Sequence, residues 1–381
     1  MFNSIKHLLR YNPNKFGCQL LAYFSAETTV KSNLTQRECT RVYPQVCGQP
    51  TSTTHPHLIK QGEVLPGISL QELKRRRSKL VESISLTANA KNVRRQQIVV
   101  IPASSTIYMS NKIPYVFRQN TDFLYFSGCQ EPDSILVLTC KEDKSSYTLF
   151  VRPKDEHSEL WDGPRTGVEM AAEMFGTDYA LPVTEFEQFL TTLVQEDKSS
   201  VVWYDHADIV QPILHKKLCQ LIKLTDNQIF ASPKILFHQI RLIKSACEID
   251  LMRESCGIAS KAIVKTIQSS KPEMSEHQLF ATVDYECRML GAKYLAYPPV
   301  VAGGKNATVI HYISNNQIIR DGDLVLMDAG IYVSPRNPYA SSRFHGLGIR
   351  IEDDVLITEN DSEILTKNCP KEVAEIEALA S

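Results

Sequence analysis

The chain has 381 residues, a length that speaks for two domains rather than one. Its apolar fraction of 43% is that of an ordinary globular protein, and no apolar run reaches the length of a membrane span. With 42 basic against 43 acidic residues the net charge is −1, a balance that argues against a nucleic-acid or other polyanion partner.

The first acidic residue is Glu27, and Lys6, Arg10 and Lys15 precede it. Phe2, Ile5, Leu8 and Leu9 share one side of a helix in this stretch. A basic, acid-free, amphipathic start reads as a mitochondrial presequence. Two readings compete with it. A secretory signal would use residues 16–26, but Gln19 and Ser25 interrupt a short apolar core. A merely disordered terminus is the other, and with it a cytoplasmic location. Residues 1–52 show no sustained period and are assigned to this leader. The ten cysteines are irregularly spaced, without a CxxC pair, and read as scattered thiols of a reducing compartment.

Residues 53–232 read as a first domain of α/β type. Ordered structure is expected from about Gln71, with Leu73 and Leu80 on a helix whose Arg75, Arg76 and Arg77 form a solvated face. The runs IVVI (98–101), SILVL (134–138), YTLFV (147–151) and VVWY (201–204) predict strands, and helices are expected around 168–175 and 185–195.

Residues 233–381 read as a second domain. Ser245 with Glu248 forms a capping box. Ala246, Ile249, Met252, Cys256, Ala259, Ile263 and Ile267 predict one buried stripe on the helix that follows. Ser275 with Gln278 starts a second helix, which Gly291 stops. Strands are expected over 309–313, 324–327 and 348–358. Helices followed by antiparallel strands make this an α+β layer.

Residues with chemical potential lie in that second half. Asp328 follows the apolar run LVLM; taken alone it reads as a turn aspartate. Arg350 and Glu352 alternate with Ile349 and Ile351, so both face one side of a strand, where an exposed ion pair is the plain reading. His311, inside TVIHYI, reads as a satisfied structural histidine. There is no HExxH, nucleophile elbow, phosphate loop or dinucleotide fingerprint.

Longer stretches carry a resemblance. THPHLIKQGEVLPGIS (54–69), FRQNTDFLYFSGCQEPDSILVL (117–138) and ELWDGPRTG (159–167) resemble the amino-terminal domain of the Xaa-Pro aminopeptidases. RLIKSACEIDLMRESCGIASKAI (241–263), YPPVVAGGKNATVIHYISNN (297–316), DGDLVLMDAG (321–330) and FHGLGIRIEDDVLIT (344–358) resemble their pita-bread metallopeptidase domain, of the M24B family. The resemblance implies a two-domain α/β chain: an aminopeptidase P amino-terminal domain, then a truncated pita-bread α+β domain. It implies removal of the N-terminal residue before a proline, by water activated between two metal ions, often manganese. It further implies peptide or protein N-termini with proline second as substrates, processing of imported proteins, and a homodimer.

Residue by residue, Asp328 matches the first metal-binding aspartate and Glu352 the last, bridging glutamate. His311 matches the substrate-side histidine of the HYxxN motif and Arg350 the arginine beside the final glutamate, both in catalytic positions. Trp161 matches a tryptophan that reaches a neighbouring subunit's substrate pocket. The pattern then departs. Tyr339 stands where the second aspartate belongs, and AGIYVSP (329–335) follows Asp328 directly. The family's metal histidine and first glutamate have no counterpart, and His345 lies in a surface loop of the pattern. About a hundred residues of an ordinary pita-bread domain are absent, as in a shortened splice form or an incomplete gene model. The resemblance therefore implies an enzyme family whose metal site this chain keeps only through Asp328 and Glu352. The alternative is a non-catalytic shortened form that binds or dimerises with the full-length enzyme.

Overall fold

The computed structural model describes residues 46–90, 95–141, 144–224, 230–328, 353–359 and 361–380, all within one compact unit from Pro44 to Ser381. The presequence expectation lies outside the described residues. The last residues assigned to the leader, 46–52, are packed rather than free. Cys47 and Gln49 are buried, and the Gln49 amide donates to the Val64 and Gly128 carbonyls while accepting from the Gln130 N–H.

The first lobe opens with a short antiparallel pair, β1 (Glu63–Leu65) and β2 (Ile68–Ser69), which runs into helix α1 (Leu70–Ala90). Order therefore begins ahead of Gln71. Strand β3 (Gln97–Pro102) follows, then the hairpin β4 (Tyr108–Ser110) and β5 (Ile113–Pro114), and helix α2 (Thr121–Ser127). Next come β6 (Ile135–Lys141), β7 (Lys144–Val151), α3 (Glu156–Asp162), α4 (Gly167–Phe175), β8 (Tyr179–Pro182) and α5 (Phe186–Glu196). Strand β9 (Val201–Trp203), α6 (Pro212–Leu221), β10 (Phe230–Ala231) and α7 (Lys234–Leu242) complete it.

Six of these strands form one mixed sheet in the order β10-β9-β3-β6-β7-β8. β3, β6 and β7 are antiparallel neighbours, whereas β9, β10 and β8 join in parallel. The apolar runs predicted as strands fall on this sheet because both of its faces are covered. Val99 and Ile101 point into a layer with Leu73, Leu80 and Ile84 of α1, Phe123 and Phe126 of α2, Phe175 of α4 and Phe237 of α7. Ile98 and Val100 point the other way, against Phe186, Leu190 and Val194 of α5 and Leu214, Leu218 and Leu221 of α6. The spacings of four and three on α5 and α6 are those of a one-faced helix.

The arginine run of α1 departs from expectation. Arg75 stays exposed, but Arg76 keeps only 4% of its surface and Arg77 none. Arg77 reaches the C-terminal ends of two other helices. Its Nη1 donates to the Phe126 carbonyl of α2 (2.9 Å), and its Nη2 donates to the carbonyls of Phe175 (3.1 Å) and Gly176 (2.7 Å) after α4. Carbonyls at helix ends lack partners and carry partial negative charge, so a buried cation there is doubly satisfied. Gly128, which ends α2 at φ +71°, has no room for a side chain: a Cβ would stand 2.5 Å from Leu73 Cδ1.

The second lobe contains α8 (Ala246–Ser269), α9 (Glu276–Met289), the antiparallel pairs β11 (Val301–Gly303) with β12 (Val325–Met327) and β13 (Val355–Ile357) with β14 (Ser362–Ile364), and α10 (Val373–Ala380). Both capping boxes are present. The first also ties the lobes together, since Glu248 accepts from the Ser245 N–H (2.8 Å) and pairs with Arg76 (3.4 Å). On α8 the buried line differs from the predicted stripe. Cys256, Ser260, Ala262 and Thr266 are buried, whereas Ala246 and Ala259 are exposed. Small side chains let α8 lie close to its neighbours, so apolar bulk does not mark the buried side.

Two strand expectations are corrected. Residues 309–313 form no strand: a 3-10 turn (Gly304–Thr308) leads into an irregular segment in which Val309, Ile310 and Ile313 are exposed. Of 348–358, only Val355–Ile357 is a described strand; residues 348–352 lie outside the described residues. The cores of this lobe are three small clusters, around Val300 and Leu326, around Ala262 and Val283, and around Leu279 and Val301. Among the described residues β12 has a strand partner on one side only. The eight described cysteines are free thiols, and no described helix is long and apolar enough to cross a membrane.

Candidate active-site region of the second lobe

Strand β12 delivers Asp328. Its backbone N–H continues the ladder by donating to the Val300 carbonyl (2.9 Å), which fixes the residue at the end of the β11–β12 ribbon, half-buried. On the same ribbon stands the segment after the 3-10 turn. Tyr312 packs against the cluster of Val300, Ala302, Ala307 and Leu326, while its neighbour His311 is exposed. Asp328 is thus tied to this ribbon through its backbone, and His311 stands exposed in a turn rather than in the strand the sequence suggested. Arg350 and Glu352 lie outside the described residues.

Two residues hold this segment: Asn315, which the sequence marks only as a turn residue, and Glu276, which it does not mark. Asn315, at φ +46°, accepts from the Val301 N–H (2.8 Å) and donates to the Pro299 carbonyl (2.9 Å). Glu276, the first residue of α9, is fully buried. Burial disfavours its ionised form, but hydrogen bonds from Asn306, the Gly303 and Gln317 N–H groups and the Tyr312 hydroxyl outweigh that and hold its carboxyl below the ordinary glutamate range. A glutamate directly after a capping serine is the only sequence signal for it, and that position is usually a solvated favourable charge on the helix dipole.

A metal centre needs several donors within reach of one ion. Among the described residues no three His, Cys, Asp or Glu side chains stand together in this way. Asp328 by itself does not fit a two-metal site, so no reaction step is drawn through one.

Trp161 stands on α3 in the first lobe, 73% exposed, with Lys112 Nζ 5.9 Å from its ring centroid. A shallow concavity with room for about a single water lies at the ends of β3 and β9 beside Asn120, Asp122, Tyr204, Asp205 and Asp208. Lys234 fills its acidic side, 3.2 Å from Asp122 and 3.4 Å from Asp205, which makes it a structural charge cluster. The lobes also meet through Arg118, which donates to the Leu295 (2.6 Å) and Ala296 (3.0 Å) carbonyls and stacks on Tyr294.

Comparison with known proteins bears on both lobes. Residues 73–203 match the aminopeptidase P N-terminal domain, and residues 250–342 match metallopeptidase family M24. Human Xaa-Pro aminopeptidase 3 is 41% identical over 303 residues, covering 76% of this chain and 58% of the relative. The mitochondrial intermediate cleaving peptidase 55 of Arabidopsis thaliana is 39% identical over 289 residues, covering 74% and 54%. The Xaa-Pro aminopeptidase of Escherichia coli is 34% identical over 271 residues, covering 69% and 59%. The chain thus spans between half and two thirds of the length of these relatives. In fold it is similar to zinc-substituted E. coli aminopeptidase P in complex with product (TM-score 0.73, 24% identity, 82% of this chain and 98% of that one). Pseudomonas aeruginosa aminopeptidase PepP has a TM-score of 0.71 at the same identity and coverage. Matched in both lobes by sequence and in overall fold by structure, the chain belongs to the aminopeptidase P group of the M24 metallopeptidases.

Proposed function

We propose that this fold serves a metal-dependent Xaa-Pro aminopeptidase, which removes the residue before an N-terminal proline from peptides or proteins. The observation that carries the reading is the 41% identity to Xaa-Pro aminopeptidase 3, which runs through 76% of this chain. A divalent metal follows from the metallopeptidase family; manganese is our specific choice, because carboxylate oxygens with an imidazole suit it. Asp328 and Glu352 are proposed as metal ligands, His311 and Arg350 as the groups that meet the substrate and the final ligand. The division at 232/233 is proposed as the domain boundary; the two family matches fall on either side of it. Mitochondrial residence is proposed from residues 1–52 and from the likeness to a mitochondrial intermediate cleaving peptidase.

The experiment inserts the catalytic segment of the human relative after Gly330 and assays the chimera with manganese and a short Xaa-Pro peptide. Release of the first residue is expected. A folded chimera that releases nothing under manganese, cobalt or zinc would remove the reading.

A homodimer is proposed from the first lobe. Ile107, Tyr108, Met109, Ile113, Tyr115 and Val116, on and beside the β4–β5 hairpin, are all more than half exposed, as are Leu160 and Trp161 of α3. Together they present on the order of 1,000 Å², which meets the roughly 800 Å² per partner of a standard interface. Lys112 on the hairpin and Glu156, Glu159 and Asp162 on α3 make the patch self-complementary in charge. Sedimentation is expected to give a dimer, and Val116→Asp with Trp161→Ala a monomer of unchanged fold. A wild-type monomer at micromolar concentration counts against it.

A further inference from the structure

The Glu276 carboxylate accepts four hydrogen bonds, and every donor comes from the segment that bears His311. Oε1 accepts from the Gly303 N–H (2.8 Å) and from Asn306 Nδ2 (2.8 Å). Oε2 accepts from the Tyr312 hydroxyl (2.8 Å) and from the Gln317 N–H (2.9 Å). Asn306 Nδ2 also lies 3.0 Å from the Tyr312 hydroxyl, and the Glu276 N–H donates to the Gln317 carbonyl (2.9 Å). A carboxylate offers about four acceptor sites, and all are used.

A residue needed only to stabilise α9 would be satisfied by its own helix, as Ser275 and Gln278 are by each other. Glu276 reaches away from the helix instead. It pins Gly303 and Asn306 before His311, Tyr312 directly after it, and Gln317 where the chain returns. We propose that Glu276 is a positioning residue for His311: acting through Tyr312 and Asn306, its carboxylate fixes where the imidazole stands when a peptide arrives. The proposal rests on His311 being the substrate-side histidine. It adds the device that places it. Ionisation matters to the device, because a neutral amide cannot accept from four donors.

The test is read on the imidazole, without hydrolysis. The 381-residue chain is labelled at histidine, and His311→Ala assigns the His311 signal in a two-dimensional proton–carbon spectrum. Glu276→Gln keeps the shape but turns one acceptor oxygen into a donor facing Tyr312 or Gly303. The expected result is a shifted and broadened His311 signal, with amide exchange over 309–317 about tenfold faster. The His215 and His238 signals and exchange over 97–151 stay as they were. Tyr312→Phe, which leaves carboxylate and cap intact, is expected to move the same signal. A folded Glu276→Gln chain whose His311 signal coincides with the unaltered one overturns the proposal. Should that variant not fold, an unmoved signal in Tyr312→Phe overturns it. Failure of the substrate reading shows separately: adding a proline-second peptide to the chimera would then leave His311 unperturbed.

Discussion

Supplied with excess manganese, cobalt or zinc, the purified 381-residue chain is expected to release no N-terminal residue from a Xaa-Pro peptide. The reason lies in the donor set. Asp328 is placed at a strand end, as a ligand should be, but no described group of three donors surrounds it. In the proposed ligand set Glu352 would add one more carboxylate, and the family resemblance would put its second aspartate where Tyr339 stands. Loss of a single group behind a metal ligand costs 10–100-fold in affinity or activity, roughly, in known sites. A site that lacked three direct ligands, as this reading implies, would lose far more, and a loosely held ion would leave its water too weakly acidic to supply hydroxide near neutral pH. The check is turnover measured beside the chimera, under each metal in turn. Robust release that vanishes in Asp328→Ala would show that other donors complete the site.

The largest stability effect is expected at Arg77. Arg77→Met keeps the apolar bulk and removes the charge, so three helix-end carbonyls lose their donors inside a closed core. Among the described residues the guanidinium forms no direct ion pair, although the Asp178 carboxylate is near enough to favour its charge. Burial lowers its pKa to about 10, still far enough above neutrality to keep it charged. Each stranded carbonyl costs about 1–3 kcal/mol, so a loss of roughly 3–5 kcal/mol is expected, a large part of the stability of an ordinary domain. Denaturant unfolding followed by Trp203 fluorescence checks this, because Trp203 is buried in the same layer. A change below about 1 kcal/mol would mean that water replaces the guanidinium. Arg75→Met, two residues away and exposed, is the control and is expected to be near neutral.

The contrast between these two arginines shows where the sequence is readable. Strands β3, β6, β7 and β9 of the mixed sheet can be read directly, since a sheet covered on both faces is apolar along most of its central runs, whereas the short β8 and β10 carry no such run. Helices α4 and α5 are as plain, because each turns one apolar side to that sheet, whereas α6 goes unmarked in the sequence although it carries the same pattern. Arg77 could not be read, because its partners are backbone carbonyls 49, 98 and 99 positions further along the chain, and carbonyls have no sequence signature. The second lobe is less legible for a different reason. Its α8 buries Ser260 and Thr266, and its 309–313 run, apolar enough for a strand, has no neighbouring strand to pair with among the described residues. Apolar alternation predicts a strand only where a sheet waits to receive it. At the candidate site, Asp328 and His311 were legible through family likeness. Glu276 was not, since the four donors around its carboxylate gather only in the folded loop.

The order of strands in the mixed sheet has a consequence for how the chain is made. β6 and β7 are adjacent in sequence, and such hairpins close in microseconds. β3 must wait for β9, from which about a hundred residues separate it, before its second edge is paired. β9 in turn stays open until Phe230 and Ala231 arrive as the edge strand. A growing chain that stops short of residue 231 therefore presents the bare edge of Val201–Trp203, an apolar template open to pairing with a neighbouring chain. Synthesis of residues 201 to 231 is the interval in which this edge of the sheet stands unpaired.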